Sequence, residues 1–199
     1  MRESLFGNFN LGKERASAAL RLSNSRDAQF LAAFALAVAG DAGRAQSLAD
    51  DFKKRFPEDT AVQFIYLPTI RAQLAILHHE SAKAVEILAS AAHYELGLEG
   101  GAAVSPALYP VWARGEAYRA SGQGADAARE YQKILDHAGV VINEPIGPMA
   151  RLGVARAYAL QGDAMKARVA YQDFFALWKD ADTDVPILLA AKSEYAKLQ

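Results

Sequence analysis

The residues of this chain that could do chemistry are four histidines and two clusters of carboxylates. His78 and His79 are adjacent, and neighbouring side chains on a helix point about 100° apart, so these two are poorly placed to hold one metal ion. No H-E-x-x-H pair occurs, and the 199 residues include no cysteine, which excludes thiolate metal sites and disulfides. We therefore predict no metal and no cofactor, and we interpret His78 and His79 as a solvated turn.

The carboxylate clusters give no better support for catalysis. Asp50, Asp51 and residues 180–184 lie on predicted helix surfaces or links, where runs of charge are usually solvated. No G-x-S-x-G nucleophile elbow is present, and the glycines of segment 97–101 are not followed by the Lys and Ser or Thr of a phosphate loop. We predict that the chain is not an enzyme and that segment 97–101 is a flexible link at the edge of a groove.

The composition is that of a folded protein without a strong overall charge. Hydrophobic residues make up 52% of the chain, and 22 basic residues stand against 23 acidic ones, for a formal net charge of −1. This balance gives no general attraction to nucleic acid or to an anionic membrane surface. No run of about 18 apolar residues occurs. We predict partners that are neither nucleic acid nor membrane.

A pattern of small residues recurs four times along the chain. An alanine follows each of four turn-like anchors, at spacings of 39, 43 and 40 residues: Ala45, Ala84, Ala127 and Ala167. The seventh position before each anchor is also small: Ala33, Ala72, Gly115 and Ala155. Small side chains where two helices cross let their backbones approach closely. The pattern therefore predicts four helix–turn–helix units.

These units resemble the tetratricopeptide repeat, although each is longer than the usual period of about 34 residues. The resemblance implies an all-α fold, namely a right-handed α-α superhelix (a solenoid) of about ten helices forming a single domain over residues 1–199. The predicted elements are an orphan helix at 10–22, repeat 1 at 28–55, repeat 2 at 60–93, repeat 3 at 107–137, repeat 4 at 147–177 and a capping helix at 185–197. Pro68 lacks a backbone donor, so we expect a kink or break near Tyr66 and Leu67.

The second half of the chain resembles one group of these repeats more closely. Residues 114–118 (RGEAY), 131–137 (YQKILDH) and 170–182 (AYQDFFALWKDAD) are similar to the C-terminal repeat region of bacterial eukaryotic-like serine/threonine protein kinases. The resemblance implies a regulatory or scaffolding region, cytoplasmic or, if the parent kinase is membrane-anchored, extracytoplasmic. The Gly-rich loop, H-R-D and D-F-G motifs of a kinase are absent from the chain. The orphan first helix suggests a parent that extends further on the N-terminal side.

The resemblance also implies which residues face a binding groove. In such repeats, four positions of each first helix line the concave side, and here they provide apolar anchors and two arginines that could hold a carboxylate. The predicted groove residues are Phe30, Phe34, Tyr66, Gln73, Tyr109, Trp112, Glu116, Arg119 and Arg156. In the alternative arrangement, several of these aromatic side chains pack against neighbouring repeats instead.

Three functions are consistent with these sequence features. The leading hypothesis is a non-catalytic module that binds a protein or peptide, including the kinase to which it belongs. The second is self-association as a homo-oligomer, through an apolar edge of the orphan helix that includes Leu11, Ala18 and Leu22. The third is a small-molecule sensor enclosed by the longer links between repeats.

Overall fold

The structure is a computed structural model that describes residues 1–97 and 108–198. Of the link predicted at 97–101, only Gly97 belongs to the described residues. The described residues form twelve α-helices and no strand, which confirms the predicted all-α class. The helices are α1 (Arg2–Leu5), α2 (Phe9–Leu22), α3 (Arg26–Val38), α4 (Ala42–Arg55), α5 (Leu67–Leu77), α6 (Ser81–Leu88), α7 (Tyr109–Ala120), α8 (Gly124–Asp136), α9 (Ala138–Val141), α10 (Ile146–Leu160), α11 (Ala164–Leu177) and α12 (Pro186–Ala196).

The helices pack as a row of pairs. We call α3, α5, α7 and α10 the A helices, and α4, α6, α8 and α11 the B helices. Each A helix packs against the B helix that follows it, each B helix packs against the next A helix, and successive A helices contact one another. The A helices therefore form one continuous layer, and α1 and α2 pack against its first member, α3.

Short left-handed turns join each A helix to its B helix. Three of them use glycine, at Gly40, Gly122 and Gly162, with φ of 81°, 78° and 77°. The fourth uses His79, with φ of 62°, at the place predicted for a solvated turn. Asp41 and Asp163 then cap α4 and α11 by accepting hydrogen bonds from the backbone N–H groups of Arg44 and Lys166, which satisfies donors that the helix leaves unpaired.

His79→Gly is expected to raise the free energy of unfolding by about 0.5–1 kcal/mol, because a side chain with a Cβ is strained at positive φ and glycine is not. His78 is the matched control, since it ends α5 at φ of −87°, where glycine relieves no strain. Urea unfolding of the two variants measures the difference. A stabilisation by His78→Gly equal to that by His79→Gly would contradict this explanation of the turn.

The second A helix is irregular near Pro68, where a kink or break is predicted. Residues Val62–Tyr66 form a π-helical turn, and the regular helix α5 begins at Leu67 with Pro68 in its first turn. The Leu67 N–H still donates to the Val62 carbonyl five residues earlier, so the change from π-helical to α-helical hydrogen bonding falls at Pro68, which has no N–H to donate.

Tyr131 of α8 is enclosed by two glycines. A Cβ on Gly115 of α7 would lie 2.7 Å from Cε1 of the Tyr131 ring, and a Cβ on Gly153 of α10 would lie 2.7 Å from its Cδ1. These distances are shorter than any van der Waals contact between carbons. Helices α7, α8 and α10 can therefore pack around the ring only because both positions are glycine.

Candidate binding groove

The five aromatic residues predicted to line the groove lie in the core. Phe30, Phe34, Tyr66, Tyr109 and Trp112 are each 7% exposed or less. Their rings contact one another, with centroids 4.3 Å apart for Phe30 and Tyr66 and 5.4 Å apart for Phe34 and Tyr109. These side chains therefore pack between neighbouring A helices, as in the alternative arrangement, and of the five only Trp112 also lines a cavity described below.

The polar ends of this aromatic cluster are satisfied within the chain. The Tyr66 hydroxyl donates to Oδ1 of Asp27 at 2.8 Å, and the Tyr109 hydroxyl donates to Oε2 of Glu144 at 2.8 Å. A buried phenol needs such an acceptor, since an unpaired buried hydroxyl costs stability. The hydrogen bonds hold α3 to the second A helix and α7 to the segment before α10.

The polar residues predicted for the groove do come together. On α7, Arg119 donates to Oε2 of Glu116 at 2.6 Å, and the Tyr131 hydroxyl donates to Oε1 of the same carboxylate at 2.6 Å. Burial opposes ionisation of Glu116, but the Arg119 charge and the two hydrogen bonds outweigh it and hold the pKa of Glu116 below its ordinary value. Glu116 is therefore a carboxylate at neutral pH.

Arg156 of α10 is held by a residue that the repeat pattern does not identify. Its guanidinium makes two hydrogen bonds to Glu194 of α12, at 2.9 and 2.8 Å, and the Tyr171 hydroxyl donates to the same carboxylate at 2.8 Å. A bidentate arginine–carboxylate pair fixes both partners in orientation. Helix α12 thereby fixes the position of Arg156 at the edge of the A-helix layer.

Two cavities adjoin these arginines. One, of about 500 Å³, is lined by residues that include Arg156, Tyr171, Glu194 and Lys197. The other, of about 300 Å³, is bordered by all four A helices and lined by residues that include Gln73, Trp112, Glu116 and Met149. Arg119 and Arg156 line both cavities. We call the surface formed by the two cavities the inner groove.

A segment of the chain itself lies in the inner groove. Residues 1–7, which we call the N-terminal segment, include helix α1, whose Ser4 and Leu5 are buried and line the smaller cavity. The Phe6 carbonyl accepts a hydrogen bond from the Ile187 N–H at 3.0 Å, and the Phe6 ring meets Trp178 edge to face at 4.9 Å. The N-terminal segment therefore contacts both the first A helix and the last helix of the chain.

Sequence reasoning missed this segment. Helix α1 has four residues, too few for a periodic pattern, so the signal in the sequence is limited to the apolar pair Leu5 and Phe6 followed by Gly7. Gly7 takes φ of 90°, which lets the chain turn from α1 towards α2. Glu194 and Lys197 lie outside the four predicted repeats, so the repeat pattern does not identify them as groove residues either.

The histidines and surface carboxylates do not assemble into a site. His78, His79 and His93 are exposed, and Nδ1 of His137 lies 2.7 Å from the Lys133 carbonyl oxygen one turn earlier. Within residues 1–97 and 108–198, no group of three or more His, Asp or Glu side chains is placed to hold a metal ion.

A second group of ion pairs surrounds Arg114 of α7, and its Glu95 carboxylate is buried. Arg114 donates to Oε2 of Glu95 at 2.7 Å, and its Nε lies 3.0 Å from Oε2 of Glu130. Lys133 also pairs with Glu95, whose side chain is 2% exposed. The cluster joins the turn after α6 to helices α7 and α8.

Three buried tyrosines whose hydroxyls donate to carboxylates give the protein a pH dependence in base. Burial, reinforced by the neighbouring carboxylate, raises the pKa of Tyr109, Tyr131 and Tyr171 above the ordinary value of about 10. Their neutral forms are favoured in the folded state, so this stability is present below pH 10 and is lost as the pH rises above it.

We therefore expect the free energy of unfolding to fall above about pH 10, and the phenolate absorbance of these tyrosines to appear together with the loss of helix. An alkaline titration followed by both ultraviolet absorbance and circular dichroism measures this. Tyr131→Phe should remove one phenol from the phase that accompanies unfolding. Ionisation of all tyrosines well before any loss of helix would contradict the assigned burial.

In the parts of the chain that the structure describes, no helix is both long and apolar enough to cross a membrane. The chain matches no protein-family model, no curated protein and no solved structure.

Proposed function

We propose that the chain is a non-catalytic interaction module of the tetratricopeptide type, a right-handed solenoid that binds a short polypeptide segment in its inner groove. The left-handed turns, the small residues at the helix crossings and the contacts between successive A helices support this architecture. The resemblance of the second half of the chain further suggests the regulatory or scaffolding region of a bacterial signalling protein such as a serine/threonine kinase.

The observation that carries the proposal is the N-terminal segment itself. A stretch of seven residues lies in the inner groove by burying Leu5 and by a main-chain hydrogen bond from Ile187 to Phe6. These are the interactions by which a groove holds a short peptide. A polypeptide partner that offers an apolar residue in place of Leu5 would compete with the segment for the same surface.

The test is a titration of a fluorescently labelled peptide, with the sequence of residues 1–9, into the full chain. Leu5→Asp weakens the hold of the chain's own segment, because burial of a leucine contributes about 1.5–3 kcal/mol. We expect this variant to bind the peptide at least about tenfold more tightly than the original chain, whose attached segment competes at high effective concentration.

Leu22→Asp is the matched control, because Leu22 is 89% exposed on α2, and its affinity should equal that of the original chain. Circular dichroism checks that both variants keep their helix content. If Leu5→Asp binds the peptide no better than the original chain, the inner groove is not a polypeptide site.

A further inference from the structure

Unpaired polar atoms are concentrated around the smaller cavity of the inner groove. In the described residues, and leaving aside Glu130 Oε2, which lies 3.0 Å from Arg114 Nε, five buried side-chain nitrogen or oxygen atoms have no hydrogen-bond partner in the protein. Four of the five belong to residues that line this one cavity, namely Ser4 Oγ, Gln73 Oε1, Trp112 Nε1 and Arg119 Nε. Buried polar groups are almost always paired, so a cluster of exceptions indicates a place where something polar binds.

Two of these groups determine which hydrogen-bonding atom the ligand must present. The indole N–H of Trp112 and the Nε–H of Arg119 only donate hydrogen bonds, so their partner must be an acceptor. Trp112 is 7% exposed, so its indole N–H has little access to bulk solvent. Gln73 contributes an acceptor and Ser4 a hydroxyl, so the same partner is expected to carry a donor as well.

The charge of the cavity limits the ligand further. Each arginine at the cavity is already paired with one carboxylate, Arg119 with Glu116 and Arg156 with Glu194. The Nε–H of Arg119 remains as a cationic donor, and it favours a carboxylate on the ligand through a charge-assisted hydrogen bond. A second negative charge on the ligand would lie near Glu116, so a monoanion fits better than a dianion such as a phosphate monoester.

The remaining walls are apolar, and the space is small. Leu5, Val38, Ile76, Met149 and Ile187 border the cavity. Its volume of about 300 Å³ is at the lower end of the range for ligand sites, so the occupant is a small molecule with an aliphatic part.

We propose that this cavity binds a small 2-hydroxycarboxylate with an aliphatic tail. The carboxylate accepts hydrogen bonds from Trp112 and Arg119, the hydroxyl donates to Gln73, and the tail packs against the apolar walls. The N-terminal segment, through Ser4 and Leu5, forms part of the same cavity and covers the ligand. This proposal does not depend on polypeptide binding, which concerns the surface that the segment itself occupies.

Isothermal titration of the full chain with 2-hydroxy-4-methylpentanoate tests the proposal, and the neutral amide of the same molecule is the comparison. We expect the acid to bind, and the amide to bind at least about tenfold more weakly because it lacks the charge-assisted hydrogen bonds to Arg119. This comparison needs no variant, so it does not depend on the folding of a mutant. Absence of binding by the acid, or equal binding of acid and amide, would overturn the proposal.

Gln73→Met tests the second polar contact, because methionine keeps the length and removes the amide. We expect it to weaken binding of 2-hydroxy-4-methylpentanoate about fivefold or more, through loss of the hydrogen bond from the ligand hydroxyl. Gln29→Met is the matched control, since Gln29 also has a buried unpaired Oε1 but does not line the cavity. An equal loss in both variants, or none in Gln73→Met, would show that the ligand does not lie against Gln73.

Discussion

Arg114→Met is expected to lower the free energy of unfolding by about 3 kcal/mol or more, because it leaves the Glu95 carboxylate buried without its arginine. The Glu95 side chain is 2% exposed, and Lys133 alone would remain to pair with it. Arg114 also donates to the Leu88 carbonyl at 3.3 Å, so the same change leaves the end of α6 less well satisfied. Urea unfolding followed by circular dichroism measures the loss.

Arg129→Met is the matched control for this experiment. Arg129 pairs with Asp126 on the surface of α8, where its side chain is 78% exposed, and exposed ion pairs contribute little. We expect a change of no more than about 0.5 kcal/mol. If Arg114→Met and Arg129→Met lower the free energy of unfolding equally, the ion pair between Arg114 and Glu95 is not buried as the structure places it.

Alanine at either glycine beside Tyr131 is expected to destabilise the protein by about 1–3 kcal/mol, because the new Cβ overlaps the tyrosine ring. The distance from that Cβ to the ring is 2.7 Å at both Gly115 and Gly153, and the ring is fully buried and hydrogen-bonded to Glu116. The ring has no room to move aside. Leucine at Gly115 should be worse still.

The same substitution at Gly43 should have the opposite sign. Gly43 lies within α4, and a Cβ there would meet no atom within 4 Å. Gly43→Ala is therefore expected to stabilise the protein by about 0.5–1 kcal/mol through helix propensity alone. Thermal melts of the three alanine variants measure these effects, and destabilisation by all three to the same extent would mean that α7, α8 and α10 do not meet around Tyr131.

Local physical rules made several features predictable from sequence. The residue that follows the C-cap of an A helix adopts positive φ so that the chain can turn towards the B helix, which explains Gly40 and why His79 stands at the same place in the turn. Positions where two helices cross must be small, and Gly115 is buried against Tyr131 at such a crossing. These rules depend on a few neighbouring residues, so a single sequence is enough to apply them.

The groove was harder to predict because its surface depends on distant parts of the chain. The repeat position of Phe30 indicates which side of α3 it occupies, but its burial depends on Tyr66, which lies in the next repeat, within the π-helical turn before α5. Glu194 holds Arg156 from the far end of the chain. No local pattern contains such contacts.

The N-terminal segment is the clearest example. Its position in the inner groove rests on Leu5 and on one hydrogen bond to Ile187, a residue far away in sequence. Its four-residue helix has no amphipathic pattern that would mark it as a bound element. Tertiary contacts alone determine where it lies.

Hydrogen exchange at the Ile187 amide tests this placement most directly. Ile187 is in the first turn of α12, where the helix offers no acceptor, so the Phe6 carbonyl alone protects its N–H. Nuclear magnetic resonance should show exchange at least about tenfold slower than in an unfolded chain, and Leu5→Asp should remove that protection while the Ala191 amide within α12 stays protected. Exchange of Ile187 at the unfolded rate in the original chain would show that the segment does not occupy the inner groove.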